Sequence, residues 1–275
     1  MLRSCIANKH WEDAVLLLAD LESLAVLWRD NPAEVRKAWD AIEANSTYRI
    51  EDRYRDYWLS PDARAVGMME LGELLAETEH AAEAAVIFDA LIRHHRGTGD
   101  VEVLASSLDW RARLYWEAGN LDDAMSFLKE EERLCREHGD ALGLAQALNN
   151  QALLLEDRCE LDKAVELYRE SEHLHRQASD REGLATNLCN QARLLVDRLQ
   201  MDQAMALFAV VEQLGAETGS DEDLARCLLV KAEALADMER AAEALDCARR
   251  GYAAAEKIHD RRLMQALGEL LTQLE

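Results

Sequence analysis

From residue 61 onward the apolar positions follow two rhythms. Within a stretch they recur at about 100° per residue, the spacing of one helical face, and the stretches themselves recur every forty residues. Count each block from its first residue, at 61, 101, 141, 181 and 221. Position 8 is then Met68, Leu108, Leu148, Leu188 and Leu228, and position 15 is Leu75, Tyr115, Leu155, Leu195 and Leu235. Position 12 is always small: Gly72, Ala112, Ala152, Ala192 and Ala232. Position 24 is alanine five times (Ala84, Ala124, Ala164, Ala204, Ala244), and position 28 is Phe88, Leu128, Tyr168, Phe208 and Ala248. The pattern predicts two helices per block, A and B, joined by a short turn such as Arg158-Cys159-Glu160.

The punctuation is periodic too. Asp100, Asp140, Asp180, Ser220 and Asp260 close the blocks, and each is a good N-cap for the helix that follows. Gly99, Gly139 and Gly219 precede three of them, where a helix C-terminus favours glycine. Small residues at 12 and 24 let two antiparallel helices approach closely, and larger ones at 8, 15 and 28 fill what remains. One hairpin cannot bury its apolar face alone, so the hairpins are expected to stack.

The order large, small, large in helix A, then alanine and a mostly aromatic position in helix B, resembles the tetratricopeptide (TPR) repeat over residues 61–260. The resemblance implies an all-α fold, a right-handed α-α superhelix or TPR-like solenoid of stacked antiparallel hairpins. The chain departs from the TPR pattern in its forty-residue pitch, against about 34 in the family, and in lacking a proline at the repeat end. The longer helices look like those of kinesin light chain repeats and bacterial repeat arrays. HEAT and armadillo repeats share the pitch but do not demand small residues at these two places.

The expected organisation is an N-terminal helical segment at 1–60, five repeats at 61–260 and a capping helix at 261–275. In the first segment, "NKHWEDAVLLL" resembles a turn and helix B out of phase, and "STYRIEDRYRDYW" reads as a charged aromatic connector. "WEDAVLLLADLESLAVLWRD" ahead of such repeats is similar to the region after the ATPase core of bacterial STAND (NLR-like) ATPases, whose repeats form a sensor arm. No Walker motif occurs, so the chain is not itself expected to be that ATPase.

Composition supports the helical reading, with 49% hydrophobic residues, 31% charged, and only 2 Pro and 12 Gly. A net charge of −23 argues against unaided binding of nucleic acid or anionic membrane. It leaves basic or neutral partners favoured. Six widely spaced cysteines without a C-x-x-C pair fit reduced thiols and a cytoplasmic setting.

On a helical wheel, positions 6, 10, 13 and 17 of helix A point away from helix B, and in a TPR-like superhelix that face lines the concave groove. The candidate partner-binding residues there are Trp110, Arg113, Gln146, Asn150, Asp157, Thr186, Asn190, Arg193, Asp197 and Arg226. Asn150 and Asn190 are equivalent, and an amide can donate to and accept from a peptide backbone without reading its sequence. Groove asparagines of kinesin light chain repeats have that role; a solvated asparagine with no role is the other reading. Trp110 is read either as an anchor for a partner side chain or as packing against the neighbouring repeat. Position 17 is acidic throughout (Glu77, Glu117, Asp157, Asp197, Asp237). It either pairs with Arg113, Arg158, Arg193 or Arg198 or attracts a basic peptide.

Catalytic readings find no support. His94-His95 and His173-Leu174-His175 lack the i, i+4 spacing of two helix-borne metal ligands and read as surface or inter-repeat residues. Cys189 and Cys227 are expected to approach one another as free thiols on adjacent A helices. Gln151 and Gln191 fall beside the core stripe and are expected to bond across the hairpin or to the next repeat. The reading is a non-enzymatic protein-interaction module with no cofactor or metal, acting as scaffold or sensor arm for a protein or peptide ligand, basic ligands being favoured. The alternative is a structural, self-associating array, through its edges or the connector at Tyr48–Trp58.

Overall fold

The computed structural model describes residues 81–274 together with Met68, Met69, Gly72, Glu73 and Ala76. The expectations for 1–60, and for Val66, Leu75 and Glu77, lie outside the described residues. Among the described residues ten helices follow in order: α1 (Ala81–Thr98), α2 (Val101–Glu117), α3 (Leu121–His138), α4 (Ala141–Asp157), α5 (Leu161–Ala178), α6 (Arg181–Asp197), α7 (Met201–Thr218), α8 (Asp221–Asp237), α9 (Ala241–Lys257) and α10 (Arg261–Leu274). The described residues contain no strand. The chain divides into two compact units, Met1–Leu134 and Cys135–Glu275.

Helix boundaries follow the caps. Asp100, Asp140, Asp180 and Ser220 each accept a hydrogen bond from the backbone N–H three residues on, at 2.9–3.4 Å. Asp260 does the same for α10, accepting from Arg262 and Leu263. Each cap satisfies an otherwise orphaned donor, worth about 1 kcal/mol. The residue before the cap turns left-handed, with φ of 79° at Gly99, 71° at Gly139 and 73° at Gly219. A second left-handed residue makes the turn inside each hairpin: Gly119, then Cys159, Leu199 and Glu239 with φ of 58–59°. The three non-glycine residues hold a conformation their Cβ disfavours.

In the C-terminal unit α4 pairs with α5, α6 with α7 and α8 with α9, while α10 packs on α9 and α8. The hairpin interiors are the periodic positions: Ala152, Ala192, Ala232, Ala164, Ala204, Ala244, Leu148, Leu228, Tyr168, Phe208 and Ala248 are all completely buried or nearly so. Burying each large side chain contributes about 1.5–3 kcal/mol. Leu267 and Leu270 of α10 close the last hairpin, and Gly251 leaves room for Leu267, whose Cδ2 lies 3.0 Å from where a Cβ would stand.

The N-terminal unit obeys the same rule. Phe88 is fully buried, and a Cβ on Gly72 would stand 2.7 Å from its ring. In this block position 12 is therefore small because Phe88 at position 28 occupies the space.

Candidate functional site

Positions 6, 10 and 13 of α4, α6 and α8 lie outside the hairpin interiors, and the structure gives most of them defined partners. Gln146 is exposed and donates to Asn150 Oδ1 at 3.4 Å, one turn on. Asn190 donates to Asn149 Oδ1 at 3.2 Å, and Asn187 reaches the same oxygen at 3.3 Å. Gln191 continues the chain of amides, donating to Asn187 Oδ1 at 2.7 Å and to Glu172 Oε2 at 2.9 Å. Four amides and one carboxylate thus join α4, α5 and α6.

Gln191 reaches the preceding repeat, whereas the wheel reading looked across its own hairpin or to the next repeat. Asn149, which the wheel puts on a flank, is 4% exposed. The reason is a seam. Position 9 of one A helix faces position 7 of the next, so two flanks that look peripheral on separate wheels become interior together. Met69 and Ser107 make the same contact in the N-terminal unit, Ser107 Oγ lying 3.3 Å from Met69 Sδ.

Cys189 and Cys227 occupy that seam between α6 and α8 as free thiols. Cys227 Sγ donates to the Phe208 carbonyl at 3.9 Å, and the contact with Cys189 together with burial pushes the Cys227 thiol up. The approach expected from the sequence is therefore present.

At the N-terminal end of α6 and α8, Thr186 Oγ1 donates to Asp223 Oδ1 at 2.9 Å, and Arg226 Nη2 donates to the same oxygen at 2.6 Å. Asp223 is buried, and Ser220 Oγ donates to its other oxygen at 2.9 Å. Arg226 also reaches Thr186 Oγ1 at 3.3 Å. At the other end of the A helices, Arg193 pairs with Glu156 at 3.2 Å, and Tyr168 Oη donates to the same carboxylate. Burial pushes the Glu156 carboxyl above the usual carboxylate range, against the bond from Tyr168 and the charge of Arg193. Burial and the neighbouring carboxylate push the Tyr168 phenol up as well.

Trp110 belongs to the N-terminal unit and packs there. Its ring stacks on Phe88 with centroids 5.8 Å apart, and its Nε1 donates to Glu73 at 3.2 Å. Arg113 lies over the same ring at 4.9 Å and pairs with Glu117 at 3.1 Å. Of the acidic position-17 residues, Glu117 is thus paired as expected. Arg193 and Arg198 go elsewhere, to Glu156 and to Asp162 at 2.7 Å. Asp157, Asp197 and Asp237 are exposed.

His95 and His175 sit at the junction between blocks, facing the N-cap aspartates. His175 Nδ1 lies 2.8 Å from Asp180 Oδ2 and His95 Nδ1 3.9 Å from Asp100 Oδ2. Burial, helped by the neighbouring His94, holds the His95 imidazole below its ordinary range. Both are inter-repeat residues, while His94 and His173 are exposed. Among the described residues no group of three or more His, Cys, Asp or Glu could hold a metal ion. No described helix is long and apolar enough to cross a membrane.

No family model matches the chain, and no curated protein matches it in sequence. Solved structures do resemble it. Aspartyl phosphate phosphatase F from Bacillus subtilis is 12% identical with a TM-score of 0.66, over 99% of this chain and 77% of that one. A kinesin light chain from Podosopora anserina, described by its nearly identical TPR-like repeats, is 16% identical with a TM-score of 0.54, over 72% of this chain and 97% of that one. The fold is a TPR-like helical repeat. BtubC (BKLC) from P. vanneervenii is similar at 16% identity and a TM-score of 0.52, over 72% of this chain and 91% of that one. At these identities the likeness of the TPR-like array is one of fold, and what it binds must be argued from its own side chains.

Proposed function

We propose that the chain is a non-catalytic protein–protein interaction module that takes an extended peptide or a helix of a partner along its A helices. The proposed organisation is five repeats over residues 61–260, flanked by segments at 1–60 and 261–275. The observation that carries the reading is the polar row Gln146, Asn150, Thr186, Asn190, Arg193 and Arg226 on α4, α6 and α8. Bonds to neighbouring side chains pre-orient these residues, which lowers the entropy lost when a ligand binds. Asn190 gives one N–H to Asn149 and keeps an amide oxygen without a bond among the described residues, suited to a backbone N–H of a peptide. The acidic residues Asp157 and Asp197 favour basic ligands over acidic ones.

The setting that fits is a cytoplasmic scaffold or the sensor arm of a larger signalling protein, with the STAND ATPases as the candidate class. Similarity to a phosphatase in fold carries no activity over to this chain. The decisive experiment screens the full chain against an array of immobilised peptides and compares it with the double variant Asn150→Ala, Asn190→Ala. Loss of binding by about tenfold or more with helicity unchanged supports the reading, because each amide to backbone is worth about 1 kcal/mol. Unchanged binding by a folded double variant overturns it. Sedimentation velocity over a concentration series separates partner binding from self-association, since a strict monomer leaves no self-associating array.

A further inference from the structure

Cys189 of α6 and Cys227 of α8 meet in the seam between successive A helices. They hold positions 9 and 7 of their blocks. At the same register Asn149 and Asn187 join side chains at 3.3 Å, and Met69 and Ser107 do so at 3.3 Å. Both cysteines belong to one apolar cluster with Leu188, Phe208 and Val230, and both are free thiols. Among the described residues no other seam places two cysteines at this register. Cys135 lies against Asp140, Cys159 is exposed in the α4–α5 turn, and Cys247 packs in the α8–α9 hairpin.

The two sulfurs differ in access. Cys227 is completely buried, whereas Cys189 is half-buried and adjoins Asn190 on the outer face. Cys189 is therefore the thiol that a small oxidant reaches first. Its thiolate is favoured by the contact with Cys227 and by the charges of Arg226 and Arg193, and opposed by burial and Asp223. A disulfide holds its two Cα atoms about 4.4–6.8 Å apart, and α6 and α8 approach within 8 Å, Cα to Cα. Closing the bond would fix the spacing of two successive repeats at close approach.

We propose that Cys189 and Cys227 form a redox-sensitive dithiol, which a peroxide converts into a disulfide that locks α6 to α8. The Cys189 thiolate attacks one oxygen of hydrogen peroxide, breaks the O–O bond and becomes a sulfenic acid, releasing hydroxide. The Cys227 sulfur then displaces the sulfenic hydroxyl, which leaves as water with the Cys227 proton. Two thiols have thus given up two electrons and two protons, and one peroxide has become two waters. A dithiol reductant restores the pair by exchange. Reversible bonds of this kind are those that a reducing compartment allows. The bond ties together residues thirty-eight apart in the chain, which restricts the unfolded state and stabilises the folded one. The inference is independent of the groove reading above.

The test treats the folded full chain, with Cys159→Ser to silence the exposed thiol, with hydrogen peroxide. Remaining thiols are blocked with N-ethylmaleimide in denaturant, and the chain is digested with trypsin for mass spectrometry. Cleavage after Arg181, Arg193, Arg226 and Lys231 puts the two cysteines on separate peptides, Glu182–Arg193 and Cys227–Lys231. The expected product is these two peptides joined, from a chain of monomer mass, and parted again by dithiothreitol. Its formation should raise the urea midpoint, and Cys189→Ser should abolish both the joined peptide and the rise. Cys227→Ala should stop at the Cys189 sulfenic acid, trapped by dimedone. If peroxide leaves both thiols open to maleimide in the folded chain, or joins them only in the unfolded chain, the proposal is overturned. A joined peptide with an unchanged midpoint removes the lock.

Discussion

Positions 10 and 12 of each A helix lie two residues apart and behave in opposite ways. Position 12 is alanine in α2, α4, α6 and α8, and Ala112, Ala152, Ala192 and Ala232 are at most 1% exposed. Position 10 is Trp110, Asn150, Asn190 and Val230, four half-buried side chains of three chemistries. The hairpin interior repeats one geometric demand every forty residues, close approach of helices A and B at position 12, where in the first block an added Cβ would already meet the Phe88 ring. The outer face repeats no such demand, so its chemistry is free to vary. Between them lies the 9-to-7 seam, buried like the interior but varied like the face: sulfur and hydroxyl in one place, paired amides in another, paired thiols in a third. Burial by itself therefore does not impose monotony; close approach of two helices does.

The comparison predicts a graded series. Leu148→Ala, inside the α4–α5 hairpin, should destabilise by about 2–5 kcal/mol through lost burial and the cavity left behind, read as a lowered urea midpoint. Asn150→Ala on the same helix should change that midpoint little; an equal loss would erase the distinction between interior and face. Asn149→Ala in the seam should cost about 1–3 kcal/mol, because the amides of Asn187 and Asn190 lose their shared acceptor. Here a cost near zero would mean that the amide network is ornament.

Two glutamates sharpen the point for charge. Glu212 of α7 is gripped by Lys231 and Arg250, each at 2.5 Å. Burial pushes its carboxyl up, but the two bonds outweigh burial and hold it below the usual range. Its stabilising contribution is thus complete above the ordinary Glu value of about 4.3 and lost as pH falls through its lower folded value. Glu212→Gln should cost about 1 kcal/mol at neutral pH, a modest figure because Arg250 is half-exposed. Its stability should also fall less steeply than that of the parent between about pH 5 and 3, the range around the free carboxyl's value of about 4.3. Glu156, raised by burial, has the opposite sign: its burial costs stability above that value, and Glu156→Gln should flatten the loss as pH rises. A gain in stability is expected at Leu199, 83% exposed and left-handed in the α6–α7 turn. Leu199→Gly should raise thermal stability by about 0.5–1 kcal/mol, relief of backbone strain exceeding the added freedom of the unfolded chain. Lowered stability would show that the turn is not strained.

Much of this molecule is legible in one dimension. Alanine at 24, a small residue at 12 and the aspartates at 100, 140 and 180 are local signals, because caps and helix–helix approach depend on residues a few turns apart. They settle the helices, the hairpins and the repeat, and they place Asn150, Asn190 and Arg226 off the core. Tertiary structure alone decided what those residues touch. Asn149 and Asn187 are thirty-eight residues apart, and only stacking one repeat on the next turns two flanks into a buried pair. Likewise, the sequence leaves His175 as a surface or inter-repeat residue, and the fold buries it against the N-cap carboxylate of Asp180. Periodicity records which face a residue is on, whereas the identity of its neighbour depends on the rotation between successive repeats, which no single helix encodes.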